Sequence, residues 1–84
     1  MKIIDISVPV DKTMIIWPGN LSPKLKRLSK MKLGDTHNET SLEMNIHTGT
    51  HVDAPLHFIS NGKSIDKMDP SIFVGPAFVI SLPN

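Results

Sequence analysis

Seven prolines and five glycines interrupt this chain of 84 residues, and they constrain its fold more than any other feature. Proline removes a backbone donor and fixes φ, while glycine weakens the interior of a helix or a strand. The apolar runs between them are short, which favours strands and loops over long helices. The sequence therefore predicts short strands joined by turns.

Four segments carry strand patterns. The clearest is 41–47, where apolar and polar residues alternate, and it predicts a strand with one buried face. Residues 3–8, 24–28 and 78–82 predict further strands, of which 24–28 is expected to be exposed.

Turn residues separate these segments. Pro18, Gly19 and Asn20 predict a tight turn, and the polar residues 30–39 predict a loop. Residues 64–68 and 70–73 are expected to form short helical turns, with Asp69 as a cap.

Charge and composition exclude several classes of function. Nine Lys and Arg against eight Asp and Glu give a net charge of +1, which indicates neither nucleic acid nor an anionic membrane as a partner. The chain has no cysteine, so disulfides and Cys-ligated zinc are excluded. No apolar run approaches the roughly 20 residues of a membrane span, and Asp5 within the first apolar run argues against a signal peptide. We expect a soluble, cytoplasmic protein.

The short length limits the core that the chain can form. A chain of this size buries only about 60–65% of its unfolded surface. A bound metal, an oligomer partner or further sequence would supply the missing stability. The predicted strand 78–82 lies at the end of the chain, so we expect an interrupted protein, and we also expect a homo-oligomer, dimer or higher.

The segment HTGTHVDAPLH holds three of the four histidines and one aspartate: His47, His51, Asp53 and His57. Imidazole and carboxylate are ordinary ligands of zinc, manganese and related ions. Two histidines and one carboxylate leave coordination positions open, which distinguishes catalytic metal sites from closed structural ones. The segment therefore predicts a metal-binding catalytic motif.

The backbone of this motif must bend. Its intervening residues are poor helix formers, so an extended backbone is expected. In a straight strand His47 and His51 would lie about 13 Å apart, yet both nitrogens must come within about 2.1 Å of one ion. Gly49 permits the bend because it can take positive φ. Pro55 then fixes the exit and keeps Ala54 out of helical conformation.

The residues HTGTHVDAPLHF resemble the cyclase family of metal-dependent hydrolases, which includes bacterial kynurenine formamidases. Asp5-Ile6-Ser7, Trp17-Pro18-Gly19 and Gly75-Pro76-Ala77 are also similar to that family. The resemblance covers essentially the whole chain. It implies an α/β fold with a mixed sheet, of the swivelling β/β/α type. Residues 1–84 would be the N-terminal part of a single hydrolase domain, incomplete and mostly strands and loops.

The resemblance also implies roles for individual residues. His47, His51 and Asp53 would bind a divalent metal, expected to be zinc with manganese as the alternative, and Asp53 would bridge to a second ion where the site is dinuclear. His57 would be the acid/base residue, and Trp17 would border the substrate pocket. Family members add a His and a Glu from the C-terminal half. This sequence has no histidine after His57, so that second metal site is incomplete here.

The implied reaction is hydrolysis of a small-molecule amide, N-formylkynurenine, to kynurenine and formate in tryptophan catabolism. The metal would lower the pKa of a bound water toward about 7. His57 would take a proton from that water and return it to the leaving amine, a contribution of about 10²–10⁴-fold.

Other interpretations stay open. The chain could be a non-catalytic remnant that acts as a metal-binding or interaction module, and a downstream His and Glu would argue against that. A structural zinc module is disfavoured because such sites use four ligands. Taken singly, each motif histidine could be structural, Asp53 a turn residue and Trp17 a loop anchor. Glu43 and Asn45 could orient the His47 ring or simply be solvated.

Overall fold

The computed structural model describes residues 1–83. It contains two strands, β1 (Lys24–Ser29) and β2 (Glu39–Glu43). Four short 3₁₀-helices complete the regular structure: η1 (Met31–Leu33), η2 (Pro55–His57), η3 (Ile65–Lys67) and η4 (Pro70–Phe73). The chain divides into two compact units, Met1–Val52 and a second unit that begins at Asp53, and each is described by itself.

The first unit is organised around an antiparallel ribbon. Lys24 pairs with Glu43 and Arg27 with Thr40, and the register shifts between Arg27 and Ser29. Such an irregularity places an extra residue in one strand and bends it. The predicted exposed strand 24–28 is confirmed by β1, whose residues are exposed except for Ser29.

The connection between β1 and β2 is closed by side chains rather than by backbone pairing alone. The Lys30 N–H donates to Asp35 Oδ2 at 2.6 Å, and the Met31 N–H donates to Asn38 Oδ1 at 2.9 Å. Gly34 ends η1 with φ of +98°, a left-handed conformation that glycine adopts at little cost. The predicted polar loop at 30–39 is confirmed over residues 30–38, with one helical turn inside it, whereas Glu39 already belongs to β2.

The strand predicted at 41–47 is only partly correct. The observed β2 begins two residues earlier and ends at Glu43, and the expected buried face is wrong, since Leu42 is 52% exposed and Ile46 is 79% exposed. Two contacts explain the early end. Glu43 pairs with Lys24, the first residue of β1, so the ribbon offers no partner further along. The His47 N–H then donates a hydrogen bond to Asn45 Oδ1, two residues earlier in the chain.

The strands predicted at 3–8 and 78–82 are not formed within residues 1–83. Ile6 is 87% exposed and Phe78 is 98% exposed. An isolated extended segment is not a strand, because a strand needs a neighbour to satisfy its backbone groups. The described structure is therefore a two-stranded antiparallel sheet with short helical turns and loops. The mostly strand-and-loop description holds in that coarse sense.

The second unit consists of helical turns and the loops that join them. Ala54 is extended, with φ of −76° and ψ of +156°, as the sequence predicts. Pro55 opens η2, a helical turn that was not predicted from the sequence. The Leu56 N–H donates to the Lys63 carbonyl at 3.1 Å, which closes the following loop. At η4 the Asp69 carboxylate accepts from the Ser71 N–H, so the predicted cap is confirmed.

No hydrophobic core is buried among the described residues. Pro23 and Thr48 are the buried positions of residues 1–83. None of the helices in this part of the chain has the length and apolar character needed to cross a lipid bilayer.

Candidate metal centre

His47, His51 and Asp53 come together in the structure. Each offers one ligand atom, and these atoms all lie within 4.8 Å of one another. His47 is half-buried, whereas His51 and Asp53 are exposed. Ligand atoms about 2.1 Å from a tetrahedral ion stand about 3.4 Å apart, so the observed separations are within about 1.4 Å of that arrangement. The donor set fits a divalent cation.

The bend that brings the two histidines together is at Gly49. Its φ is +69°, which confirms the bend that the sequence predicts at this residue. The rings of His47 and His51 then meet edge to face, with centroids 5.4 Å apart and planes at 67°. A straight strand would separate these residues by about 13 Å, so the glycine accounts for their convergence.

A hydrogen bond orients the His51 ring. Its Nδ1 lies 2.8 Å from the Gly49 carbonyl oxygen. A carbonyl oxygen only accepts hydrogen bonds, so Nδ1 is the donor of this pair. Metal-ligating histidines commonly use one ring nitrogen in this way and bind the ion with the other.

Two contacts that hold the motif backbone were not predicted from the sequence. The His47 N–H donates to Asn45 Oδ1 at 2.7 Å, so Asn45 contacts the ligand's backbone. Thr50 Oγ1 accepts from the Val8 N–H at 2.9 Å. An Asn two residues before the bonded N–H is a recognisable turn pattern. The Thr50 contact joins residues 42 positions apart and carries no local signal.

Thr48 is the buried polar residue of the motif. It is 5% exposed, and its Oγ1 has no hydrogen-bond partner within the described part of the chain. A buried hydroxyl without a partner costs free energy. Its neighbours in the motif, by contrast, are exposed or half-buried.

His57 is not a member of the metal-competent group found among residues 1–83. It is the last residue of η2, and its ring lies 4.2 Å from that of Phe58 between centroids. Its acid/base role stays a prediction.

Trp17 lies in the turn that precedes β1. Its carbonyl accepts from the Asn20 N–H at 3.0 Å, which confirms the predicted turn, and its side chain is 74% exposed. A cavity of about 340 Å³ in the first unit is lined by residues 19–22 and by the paired ends of the ribbon, Lys24 and Glu43. Trp17 does not line that cavity, and its substrate contact stays a prediction.

Comparison with known proteins relates this geometry to a family. The family model described as "Putative cyclase" matches residues 4–84. The kynurenine formamidase of Bacillus anthracis is 39% identical over 83 residues, which are 99% of this chain and 40% of that protein. The kynurenine formamidase of Geobacillus thermodenitrificans is 42% identical over 82 residues, which are 96% of this chain and 39% of that protein. The chain thus spans about 40% of the length of the curated relatives it matches. This chain belongs to the Cyclase family.

Proposed function

We propose that this chain carries the metal-binding motif of a metal-dependent amide hydrolase of the kynurenine formamidase type. The substrate would be a small-molecule amide, N-formylkynurenine, and the products kynurenine and formate. One observation carries the proposal: two imidazoles and one carboxylate converge in a chain that belongs to the Cyclase family. The names of its relatives supply the substrate class.

We further propose zinc as the ion, with manganese as the alternative, because a mixed imidazole and carboxylate donor set suits both. His47, His51 and Asp53 would hold it, and Asp53 would bridge to a second ion where the site is dinuclear. When bound, such an ion acidifies a water molecule and polarises the substrate carbonyl.

His57 would move the proton in this reaction. Hydrolysis forms a bond between the water oxygen and the formyl carbon and breaks the bond from that carbon to the aryl nitrogen. The His57 imidazole would accept the proton that the water loses and deliver it to the leaving nitrogen. Trp17 would border the substrate.

The same proposal extends to the fold, the oligomeric state and the cellular location. Residues 1–84 would form the N-terminal part of one α/β domain of the swivelling β/β/α type, in a cytoplasmic homo-oligomer. The coverage of about 40% of each relative supports the placement within a longer domain.

Elemental analysis of matched variants tests the metal assignment. His51→Ala and Asp53→Ala should each lose bound metal, because each removes one of three converging ligands. His37→Ala is the control, since His37 is exposed and bonds to Thr36 and Glu39 instead. Unchanged metal content in His51→Ala or Asp53→Ala would contradict the ligand assignment.

Turnover of N-formylkynurenine tests the reaction. It should be measured for the 84-residue chain and for the chain joined to the remaining segment of the Bacillus anthracis relative, with and without added Zn²⁺. Metal-dependent turnover by the joined protein is expected. Metal binding without turnover in either form would favour the second candidate, a non-catalytic metal-binding or interaction module, which the partial coverage of the relatives also supports.

A further inference from the structure

We propose that Gly49 is a positioning residue of the metal centre, because its carbonyl holds the ring proton of His51 on Nδ1 and thereby presents Nε2 to the ion. The proposal rests on the proposed function for the identity of the ligand, and it adds which nitrogen binds and what selects it. It assigns to Gly49 a role in ring orientation in addition to the bend.

The hydrogen bond determines the tautomer. The distance of 2.8 Å between His51 Nδ1 and the Gly49 oxygen is that of a well-formed hydrogen bond. Because the oxygen cannot donate, the proton of a neutral ring must lie on Nδ1. The lone pair is then on Nε2, the form in which imidazole binds a metal through that nitrogen.

The conformation of Gly49 determines where its carbonyl points. Its φ of +69° is in the left-handed region, which residues other than glycine rarely adopt. Space is limited as well, since a Cβ at this position would lie 2.9 Å from Met14 Cε. The Met14 methyl group is the end of a flexible side chain and can move aside, whereas the positive φ would strain any residue with a Cβ. We expect relief of that strain to turn the carbonyl away from His51.

The neighbouring residues hold this conformation on both sides. Thr50 is tied to the Val8 N–H through its hydroxyl, and His47 is tied to Asn45 through its backbone N–H. These two contacts flank Gly49 within the first unit. Gly49, with its positive φ, lies between them at the bend.

Long-range ¹H–¹⁵N NMR of the His51 ring tests the tautomer without any metal. Spectra are recorded at alkaline pH, where each neutral ring carries a single proton. The 84-residue chain and the chain joined to the rest of the Bacillus anthracis relative are compared, and the joined protein decides the result. A ring protonated on Nδ1 is expected, and one protonated on Nε2 overturns the proposal.

Substitution of Gly49 tests the cause. Gly49→Ala, made in a Met14→Ala background to remove the close contact, should shift the ring toward protonation on Nε2. Gly49→Asn in the same background should restore Nδ1 protonation, since Asn tolerates the left-handed conformation. Gly34→Ala is the control, because Gly34 has φ of +98° with open space around it. An unchanged His51 tautomer in Gly49→Ala overturns the proposal.

Cadmium binding separates this proposal from the proposed function. With ¹¹³Cd²⁺ as the probe, coupling to Nε2 of His51 is expected, and coupling to Nδ1 overturns the proposal. Gly49→Ala should weaken Cd²⁺ binding by about 10–100-fold, the usual effect of losing a partner that orients a ligand. If the Nδ1 tautomer is found but no Cd²⁺ binds, the role toward the metal is overturned together with the proposed function, whereas a wrong tautomer with normal binding overturns this proposal alone.

Discussion

His57 follows the last predicted ligand by four positions and lies on a different element, the 3₁₀-helix η2. Its ring packs against Phe58, with the two planes tilted by 57°. The three other motif residues converge within 4.8 Å in a group that does not include it. The motif thus contains three residues that converge and one, His57, that does not belong to their group. Mutations can test the two kinds of residue separately.

We expect His57→Ala to retain the metal and to lower turnover of the joined protein by about 10²–10⁴-fold, the usual contribution of a proton-transfer group. Elemental analysis and initial rates measure the two effects. Phe58→Leu, which removes only the ring contact, is the control and should keep most of the activity. Loss of metal in His57→Ala would instead make His57 a ligand.

Thr50 is the second residue with a separable role, since its hydroxyl joins the metal motif to the N-terminal segment. Thr50→Val keeps the shape and removes the acceptor, so the Val8 amide should exchange with solvent about fivefold faster, equivalent to about 1 kcal/mol. Hydrogen exchange followed by NMR measures this. Thr50→Ser retains the hydroxyl and should retain protection. Equal exchange in all three proteins would contradict the contact.

Among the elements of this chain, one kind of side-chain turn recurs. Four turns share one arrangement, in which an Asp or Asn accepts the N–H two residues later: Asp5 with Ser7, Asp11 with Thr13, Asn45 with His47, and Asp69 with Ser71. Such turns are local and form without a partner strand. Such local turns can form in a chain whose segments are kept short by frequent proline and glycine.

The cap of η4 gives a pH-dependent prediction. The Ser71 backbone N–H, and secondarily its hydroxyl, lower the pKa of Asp69 below 3.8. The folded turn thus favours the charged carboxylate, so the stabilisation is fully present above pH 3.8 and is lost as pH falls through the lowered value. We expect the NMR chemical shift of the Ser71 amide proton to move, below about pH 4, toward the value of an amide without this hydrogen bond.

Asp69→Asn is the matched variant for this titration. It keeps an acceptor oxygen but cannot ionise, so the Ser71 amide should retain its shift across the acid range. A titration that is the same in Asp69→Asn and in the unmodified chain would contradict the assignment to this carboxylate.

At the scale of the whole molecule, apolar side chains are exposed along most of the described sequence, and no hydrophobic core is buried. Burial of apolar surface is the main favourable term in folding and the source of the heat-capacity change on unfolding. The turns and the ribbon give local order, but they do not supply that term. The described residues therefore lack the main stabilising term of a packed domain.

We expect the 84-residue chain to bind the dye ANS and to unfold with a heat-capacity change well below the roughly 12–15 cal/mol/K per residue of packed domains. Calorimetry and dye fluorescence measure the two quantities. Joining the chain to the remaining segment of a relative should reduce dye binding and restore a cooperative transition. A cooperative transition of the 84-residue chain, with the heat-capacity change of a packed domain, would contradict the exposure of these apolar side chains.

The features of this protein that follow from residue order alone are local. The turn at Pro18-Gly19, the bend at Gly49, the cap at Asp69 and the clustering of ligand types all depend on residues a few positions apart, and the structure bears out each of these. A glycine that must take positive φ, or an aspartate two residues before a free N–H, is visible in the order of residues.

The pairing of segments and the burial of side chains, by contrast, follow from the three-dimensional arrangement of the chain. The alternating pattern at 41–47 does not show that its partner ends opposite Glu43, and the runs at 3–8 and 78–82 do not become strands without neighbours. The contact between Thr50 and Val8, 42 positions apart, is equally invisible in the sequence. Strand pairing and burial depend on groups that are distant along the chain. An alternating pattern therefore favours a strand, but the strand forms only where a neighbouring segment pairs with it.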